Sequence, residues 1–436
     1  MMKKMVALFS VSLMMGAALS SCRSRTQALS PSFSSLSPGI SAQRFQSFSS
    51  SRDLFQLLDQ YHAPLMQRNP GLIKLKYDAM KSSAFAFYRA TAFVFYHDMA
   101  SQKALNQTTS VPLQGDFHLE NLGTYRTASG DFAYDLNDFD EAVSGPFTWD
   151  LARLGVSIYL AADEVGLKKS EQEEMVRYFL KAYQSALAAI QNNPGLLNVP
   201  LSERYLSEKP AEQVSQARQR FNRAAWLQEM APGNRFALGN KVQPVPAAEL
   251  QTLQQAIQGY VASRREGPAF FSVKDTAMRI AGKGSLGRYR YIVLMEGPSA
   301  SPQDDLILEF KEATTPSANY AGQRSSNDDG QRIVSAYRQM LPQADPYLGV
   351  TRFGSLSAYV RELLPDESVN LEKVNKVSEY RDFLDSVALI IARAHSRTGQ
   401  AVRLQAEMSQ QETTLMGFIE SYNQQVKQDY QRFQKF

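Results

Sequence analysis

The chain is poor in the residues that build soft-metal and redox centres, with one cysteine and four histidines among 436 residues. A lone cysteine, Cys22, excludes a disulfide within the chain and argues against a thiol site. His62, His97, His118 and His395 are too few and too scattered for a dinuclear phosphoesterase. Charge of one sign is also lacking. The formal net charge is +4 and falls to +2 without Lys3 and Lys4, and no aromatic and basic residues interleave as a platform. Nothing therefore points to nucleic acid as a partner. The apolar run Met5 to Leu19 is too short to span a bilayer comfortably.

What is present suits a globular protein: 44% hydrophobic and 21% charged residues, in a chain long enough for one two-lobed unit or two domains. Lys3 and Lys4 followed by the apolar run form a signal segment. Leu19-Ser-Ser-Cys22 after it resembles the lipobox of bacterial lipoproteins. That resemblance implies a lipidated Cys22 and attachment to a membrane through an N-terminal lipid anchor. Arg23, in place of an inner-membrane retention Asp, points to the periplasmic face of the outer membrane. Residues 23–50 are Ser-rich and read as a tether.

The densest chemistry lies in Val111-Pro-Leu-Gln-Gly-Asp-Phe-His-Leu-Glu-Asn121 and Phe132-Ala-Tyr-Asp-Leu-Asn-Asp-Phe-Asp-Glu141. Each opens on an apolar strand-like run and ends in polar side chains, and Ala128-Ser-Gly-Asp131 between them reads as a tight hairpin turn. The hairpin gathers the polar ends, and carboxylates so gathered repel one another unless a cation lies between them. Oxygen ligands without thiols suit Mg²⁺ or Mn²⁺ rather than zinc. Asp116 and Asn121 stand in the D-x-x-x-x-N spacing of the protein-kinase catalytic loop, and Asp138-Phe139 stands where kinases carry the start of D-F-G. Gly115-Asp116-x-His118-x-x-Asn121 resembles still more closely the loop of aminoglycoside and choline phosphotransferases.

Around this centre the periodicity predicts helices over Asp53–His62, Leu72–Met80 and, as one long aromatic helix, Ser83–Leu105. Arg89, midway along that apolar helix, needs an acidic partner and is expected to face the acidic cluster. Near residue 270 the texture turns β-like. Arg279-Ile-Ala-Gly-Lys-Gly-Ser-Leu-Gly287 is a glycine-rich turn before the strands Tyr289–Met295 and Leu306–Lys311. Gly282, Gly284, Ser285 and Gly287 could cover phosphates with their amides, and Lys311 could reach the same oxygens. A plain hairpin turn accounts for the same residues. The helix Gln331–Leu341 follows where a kinase has its C-helix, yet carries no Glu. Either Glu312 or a residue of the other lobe must then hold Lys311. Ser357–Leu364 reads as a strand serving as hinge, and Tyr380–Thr398 as a helix with His395 on its apolar face, a core histidine.

These parts occur in the reverse of the kinase order, catalytic loop first and glycine turn second. The expected fold is therefore α+β, two-lobed, kinase-like and circularly permuted. It divides into a leader (1–22), a tether (23–50), a helical lobe (51–267), a β-rich lobe (268–370) and C-terminal helices packing on the helical lobe (371–436). The chain also resembles the bacterial domain-of-unknown-function 2252 family. The resemblance rests on Ala84-Phe-Ala-Phe-Tyr-Arg89, the two acidic motifs, Pro146, Trp149, Asp150, Ala281–Gly287, Phe310-Lys-Glu-Ala313, Gly330-Gln-Arg332 and Ala392-Arg-Ala-His-Ser-Arg397. It covers roughly residues 50–400, implies a kinase-like fold, and supplies no substrate.

The expected function is a metal-dependent phosphotransferase on a membrane-anchored lipoprotein. Asp116 is the expected base, with His118 bracing the loop. Asn121 and Asp138 would hold Mg²⁺ with Asp140 in support, and Gly282, Gly284, Ser285, Gly287 and Lys311 would bind ATP or another nucleotide. The acceptor is a small molecule or a protein. The periplasm is not expected to hold ATP, which keeps open a catalytically inactive, kinase-like lipoprotein that binds a ligand or partner.

Overall fold

A computed structural model of the chain describes residues 52–266, 270–282, 284–323, 327–365 and 367–436, all of which belong to one unit, Arg44–Phe436. The signal segment, Cys22, the tether and Lys283 lie outside the described residues. No described helix is long and apolar enough to cross a membrane.

Two capped helices open the unit. The Asp53 carboxylate accepts from the Phe55 and Gln56 amides at the start of α1 (Leu54–Arg68), and Asn69 caps α2 (Pro70–Met80), with Pro70 in its first turn. The long helix expected over Ser83–Leu105 is instead three: α3 (Ala84–Arg89), α4 (Ala92–Met99) and α5 (Lys103–Asn106). The break comes at Thr91, whose Oγ1 donates back to the Phe87 carbonyl at 2.9 Å while its backbone leaves the helical region. The aromatic residues of this stretch are core: Phe85, Phe87, Tyr88, Phe93, Phe95 and Tyr96 are all buried.

Four short strands follow: β1 (Ser110–Leu113), β2 (Leu122–Arg126), β3 (Phe132–Leu136) and β4 (Val143–Pro146). The expected hairpin exists, but its first arm is β2, which pairs with β3 in the register Leu122↔Leu136. The Val111–Leu113 run lies in β1 and pairs with β4. The acidic motif is therefore framed by a hairpin on one side and a second strand pair on the other. Next come α6 (Phe147–Glu164), buried along almost its whole length, α7 (Lys169–Asn192) and α8 (Glu208–Arg220).

The second half builds one antiparallel sheet. Its elements in chain order are α9 (Arg223–Met230), β5 (Val242–Gln243), α10 (Leu250–Ala262), β6 (Val273–Arg279), β7 (Arg290–Met295), β8 (Leu306–Glu312), α11 (Asp329–Met340), β9 (Gly349–Phe353) and β10 (Leu356–Glu362). The spatial order is β5-β6-β7-β8-β10-β9. Alternation along β8 sends Leu308 and Phe310 into a core with Leu253, Ile257 and Tyr260 of α10, whereas Ile307 packs with Leu227 of α9. The sheet thus draws in two helices from before residue 268. Finally α12 (Val377–Ser396) packs on α7, and α13 (Ala401–Phe433) packs on α6 and α7. The fold is α+β, with antiparallel sheets.

One buried ion pair ties the last part of the chain to the hairpin. Arg393 of α12 donates through Nη1 to Asp135 of β3 at 2.9 Å, and through Nε and Nη2 to the carbonyls of Leu196 and Val199 at 2.8 and 2.6 Å. Burial pushes the Asp135 carboxyl upward against the pull of Arg393. Removing the cation leaves that carboxylate and both carbonyls without it. Arg393→Met should destabilise the fold by about 3–5 kcal/mol. Denaturant unfolding would measure this, and a loss below about 1 kcal/mol would show the pair to be dispensable.

Candidate functional site

The geometry of the first acidic loop is set by a buried carboxylate one turn into α6. Asp150 accepts the Gln114 amide through Oδ2 at 2.7 Å and the Gly115 amide through Oδ1 at 3.0 Å. The loop closes tightly here. Gly115 has φ +87°, and a Cβ on it would stand 2.0 Å from the Glu141 carbonyl oxygen, so only glycine fits. Behind Asp150 stands His395, 3.5 Å away, its Nδ1 hydrogen-bonded to the Tyr183 hydroxyl at 2.9 Å. It is the core histidine that its apolar face implies.

Asp116 follows at once. Its Oδ1 accepts Arg153 Nε at 2.6 Å, and Arg153 Nη2 lies against the same oxygen. Arg153 is wholly buried, with its guanidinium 4.3 Å over the Tyr88 ring. Burial pushes the Asp116 carboxyl up to about 7, although Arg153 opposes the rise. One oxygen is thus held while the other is left toward the cleft. His118 Nδ1 accepts the Glu120 amide at 3.2 Å, which puts the ring proton on Nε2, 4.0 Å from Asp116 Oδ2. Burial and the neighbouring Arg89 and Arg153 keep this ring neutral, well below the usual histidine range. Arg89 meets the acidic loop as expected, paired with Glu120. Asn121 donates through Nδ2 to the Asp116 carbonyl at 2.8 Å, and no described residue donates to its Oδ1.

The hairpin sets Asn121 beside Asn137, whose amide donates to the Asn121 carbonyl at 3.3 Å, and so brings Asp138 to the same end. Asp138 is the open member, with its side chain 44% exposed. Phe139 turns inward onto the Tyr337 ring of α11, with centroids 4.2 Å apart. Asp140 is fully engaged: Lys311 Nζ lies 2.5 Å from its Oδ2, and the Tyr359 hydroxyl donates to Oδ1 at 2.8 Å. Lys311 also stands 3.9 Å from Asp138. The holder of Lys311 therefore comes from the other half of the chain. Glu312 points elsewhere, to Arg68.

Asp116, His118, Asn121, Asp138, Asp140 and Lys311 line one cleft of about 380 Å³, together with Gly282, Gly284 and Ser285. Gly282 has φ +76°, and a Cβ there would meet Ser285 Oγ at 2.8 Å. Gly287 stands apart, packed on Ile73 and Leu65 of the first two helices. Among the described residues no three His, Cys, Asp or Glu side chains gather as a metal cage. Asn121 Oδ1 and the Asp138 carboxylate are protein oxygens of this cleft that could hold a cation such as Mg²⁺.

Three residues in or behind the cleft were given no role by the sequence reading. Arg153 had a signal, being a charge within the apolar run of α6. Lys76 had none, standing in a stretch read only as a short helix, Leu72–Met80. Arg332 of α11 binds the carbonyls of Asp140 at 2.8 Å and Thr314 at 2.6 Å, and that of Ala142. It fastens α11 to the acidic loop where the expected Glu is missing.

A family described as an uncharacterized protein conserved in bacteria (DUF2252) has a model that matches residues 68–436. The chain belongs to this family. The matched span of the DUF2252 member takes in every candidate residue named above except Cys22. No curated protein and no solved structure matches the chain.

Lys76 is buried beside the glycine turn, donating to the Gly284 carbonyl at 3.0 Å. Burial, helped by Arg288, lowers its ammonium from 10.5 to about 7. Between these values the unfolded chain holds a proton that the folded chain lacks, so stability rises with pH across that window. Lys76→Met should remove this rise, which amounts to a few kcal/mol at roughly 1.4 kcal/mol per pH unit. Denaturant midpoints of both proteins from pH 7 to about 10 test it; parallel curves would sink the assignment.

Proposed function

We propose that this DUF2252 protein is a metal-dependent phosphotransferase of kinase type, with Lys311 and the glycine turn forming the phosphate side and Asp116, Asn121 and Asp138 the catalytic side. The observation that carries this is the meeting of Lys311 with Asp140 at 2.5 Å and Asp138 at 3.9 Å. Residues from two distant motifs thus converge at one cleft. The accompanying fold reading is a permuted two-lobed kinase. Its support is the glycine turn between β6 and β7, the lysine on β8, and α11 directly after, all following the catalytic half in the chain. Attachment to the periplasmic face of the outer membrane through Cys22 completes the reading.

In this mechanism Asp116 Oδ2 takes the proton of the acceptor hydroxyl, while Arg153 holds Oδ1 and fixes the carboxylate plane. His118 and the Asn121 amide brace the loop so that this oxygen faces the cleft. Lys311, steadied by Asp140 and Tyr359, neutralises charge on the transferring phosphoryl group. Asn121 and Asp138 would hold Mg²⁺, which would supply positive charge against the phosphates. The glycine turn would cover the phosphate chain with its amides.

A second reading, a ligand-binding protein without turnover, draws on α11. That helix lacks a Glu, and Lys311 is paired with an acid of the opposite loop. The two readings share the site and differ in turnover. With Mg²⁺ and a panel of phosphoanhydrides (ATP, GTP and inorganic tripolyphosphate), at least one should raise the melting temperature by several degrees. Asp138→Ala should abolish that shift while leaving the unliganded melting temperature within about 2 °C, because the side chain is 44% exposed. An unchanged shift in the variant would refute the role of Asp138. Release of the shortened donor, measured with acceptor hydroxyls, separates transfer from binding alone.

A further inference from the structure

Two cations meet the cleft beside the glycine turn, and neither has an acid of its own. Lys76 of α2 and Arg288, just after the turn, both line the cleft, as do Gly284 and Ser285. Lys76 is buried, and its Nζ makes one hydrogen bond, to the Gly284 carbonyl at 3.0 Å. An ammonium carries three N–H donors, so the others are unspent. Arg288 donates through Nη1 to Thr314 Oγ1 at 2.6 Å and through Nη2 to the Tyr61 hydroxyl at 2.9 Å, and its buried Nε finds no partner. Lys76 Nζ stands 5.9 Å from the centre of the same Tyr61 ring, so both cations gather on one side chain. Among the described residues no carboxylate forms an ion pair with either. The acids around them are engaged elsewhere: Asp116 with Arg153, Asp140 with Lys311 and Tyr359, Glu141 with the Ser317 amide, and Glu312 with Arg68 and the Tyr289 amide.

A buried cation without a counterion is costly, and Lys76 shows the cost. Burial, helped by Arg288, holds its ammonium near 7 against the opposing pull of Glu141 and Asp116, at about 7 where 10.5 is usual. His62 of α1 brings no compensating charge, since burial keeps its ring neutral. An arriving anion would relieve both cations at once and take up the N–H groups they leave unspent. A carboxylate brings one negative charge, whereas a phosphate monoester brings close to two and three accepting oxygens. The second matches the pair. We propose that Lys76 and Arg288 form an anion subsite beside the glycine turn that takes one phosphate dianion, separate from the pair of Lys311 with Asp140. The inference rests on the phosphotransferase reading only for whether that phosphate belongs to the donor or to the acceptor.

Calorimetric titration of the full-length chain with inorganic phosphate tests it. Phosphate should bind about tenfold tighter than acetate. Lys76→Met and Arg288→Gln should each weaken phosphate by about tenfold, while Arg126→Gln, at another cleft arginine, should change it by less than about twofold. Because the free Lys76 ammonium titrates near 7, binding at pH 8 should draw in a proton, read from buffers of different ionisation enthalpy. If Lys76→Met does not fold, this proton uptake and Arg288→Gln carry the test. Acetate matching phosphate, variants that bind as the unaltered chain does, or no phosphate binding would overturn the proposal. Competition between phosphate and Mg²⁺ with ATP or tripolyphosphate assigns the subsite to the donor; binding of both together assigns it to an acceptor that carries a phosphate. Loss of the subsite with the Asp138-dependent melting shift intact would leave the phosphotransferase reading standing. Phosphate held by Lys76 and Arg288, with no such shift from any phosphoanhydride, would keep the subsite and remove that reading.

Discussion

The ion pair of Lys311 with Asp140 is the constraint on which the cleft depends. Lys311 is almost fully buried and Asp140 nearly so, which makes each costly to leave alone. Tyr359 adds a hydrogen bond to Asp140 from the neighbouring strand, so the carboxylate is held from two strands of the sheet. Because Asp140 belongs to the loop after β3, the pair fixes the acidic loop against the sheet. Asp138, two residues earlier, is carried to the open side by the same placement. A side chain 44% exposed at the mouth of a largely buried charged network can take a ligand with little rearrangement.

The fastening of α11 follows from the same pair. In a kinase, a helix Glu would hold the strand lysine; here the lysine is already taken by the loop. Helix and loop are joined instead through Arg332, which grips the carbonyls of Asp140, Ala142 and Thr314. Helix, loop and lysine remain mechanically linked, with the carboxylate on the loop and the cation on the helix. Phe139 against Tyr337 adds an apolar contact along the same seam. A missing Glu in α11 is therefore weak ground for reading the site as dead, since its linking role has been taken over by other atoms.

What the sequence made legible was what spacing encodes. Asp116, Asn121, Asp138 and Lys311 were found because their motifs fix local turns, and a Gly-Asp turn or a strand-end Lys is visible without tertiary information. The single helix over Ser83–Leu105 failed because Thr91 ends α3 with a side-chain hydrogen bond, not with a Gly or Pro. The pairing of β1 with β4 was hidden because an apolar run does not name its partner. Lys76 was illegible for another reason: its burial comes from tertiary contacts, among them the Gly284 carbonyl of the glycine turn, that its short helix does not announce. Gly287 belongs to that same contact and stands outside the cleft.

Both halves of the chain bring charge of both signs to the cleft: Lys76, Arg89, Asp116 and Asp138 from the first, and Arg279, Arg290, Lys311 and Glu362 from the second. Asp138 keeps an exposed carboxylate, whereas Lys311, Asp140 and Arg153 are held in buried pairs. A ligand entering the cleft therefore meets fixed, oriented charges rather than hydrated ones.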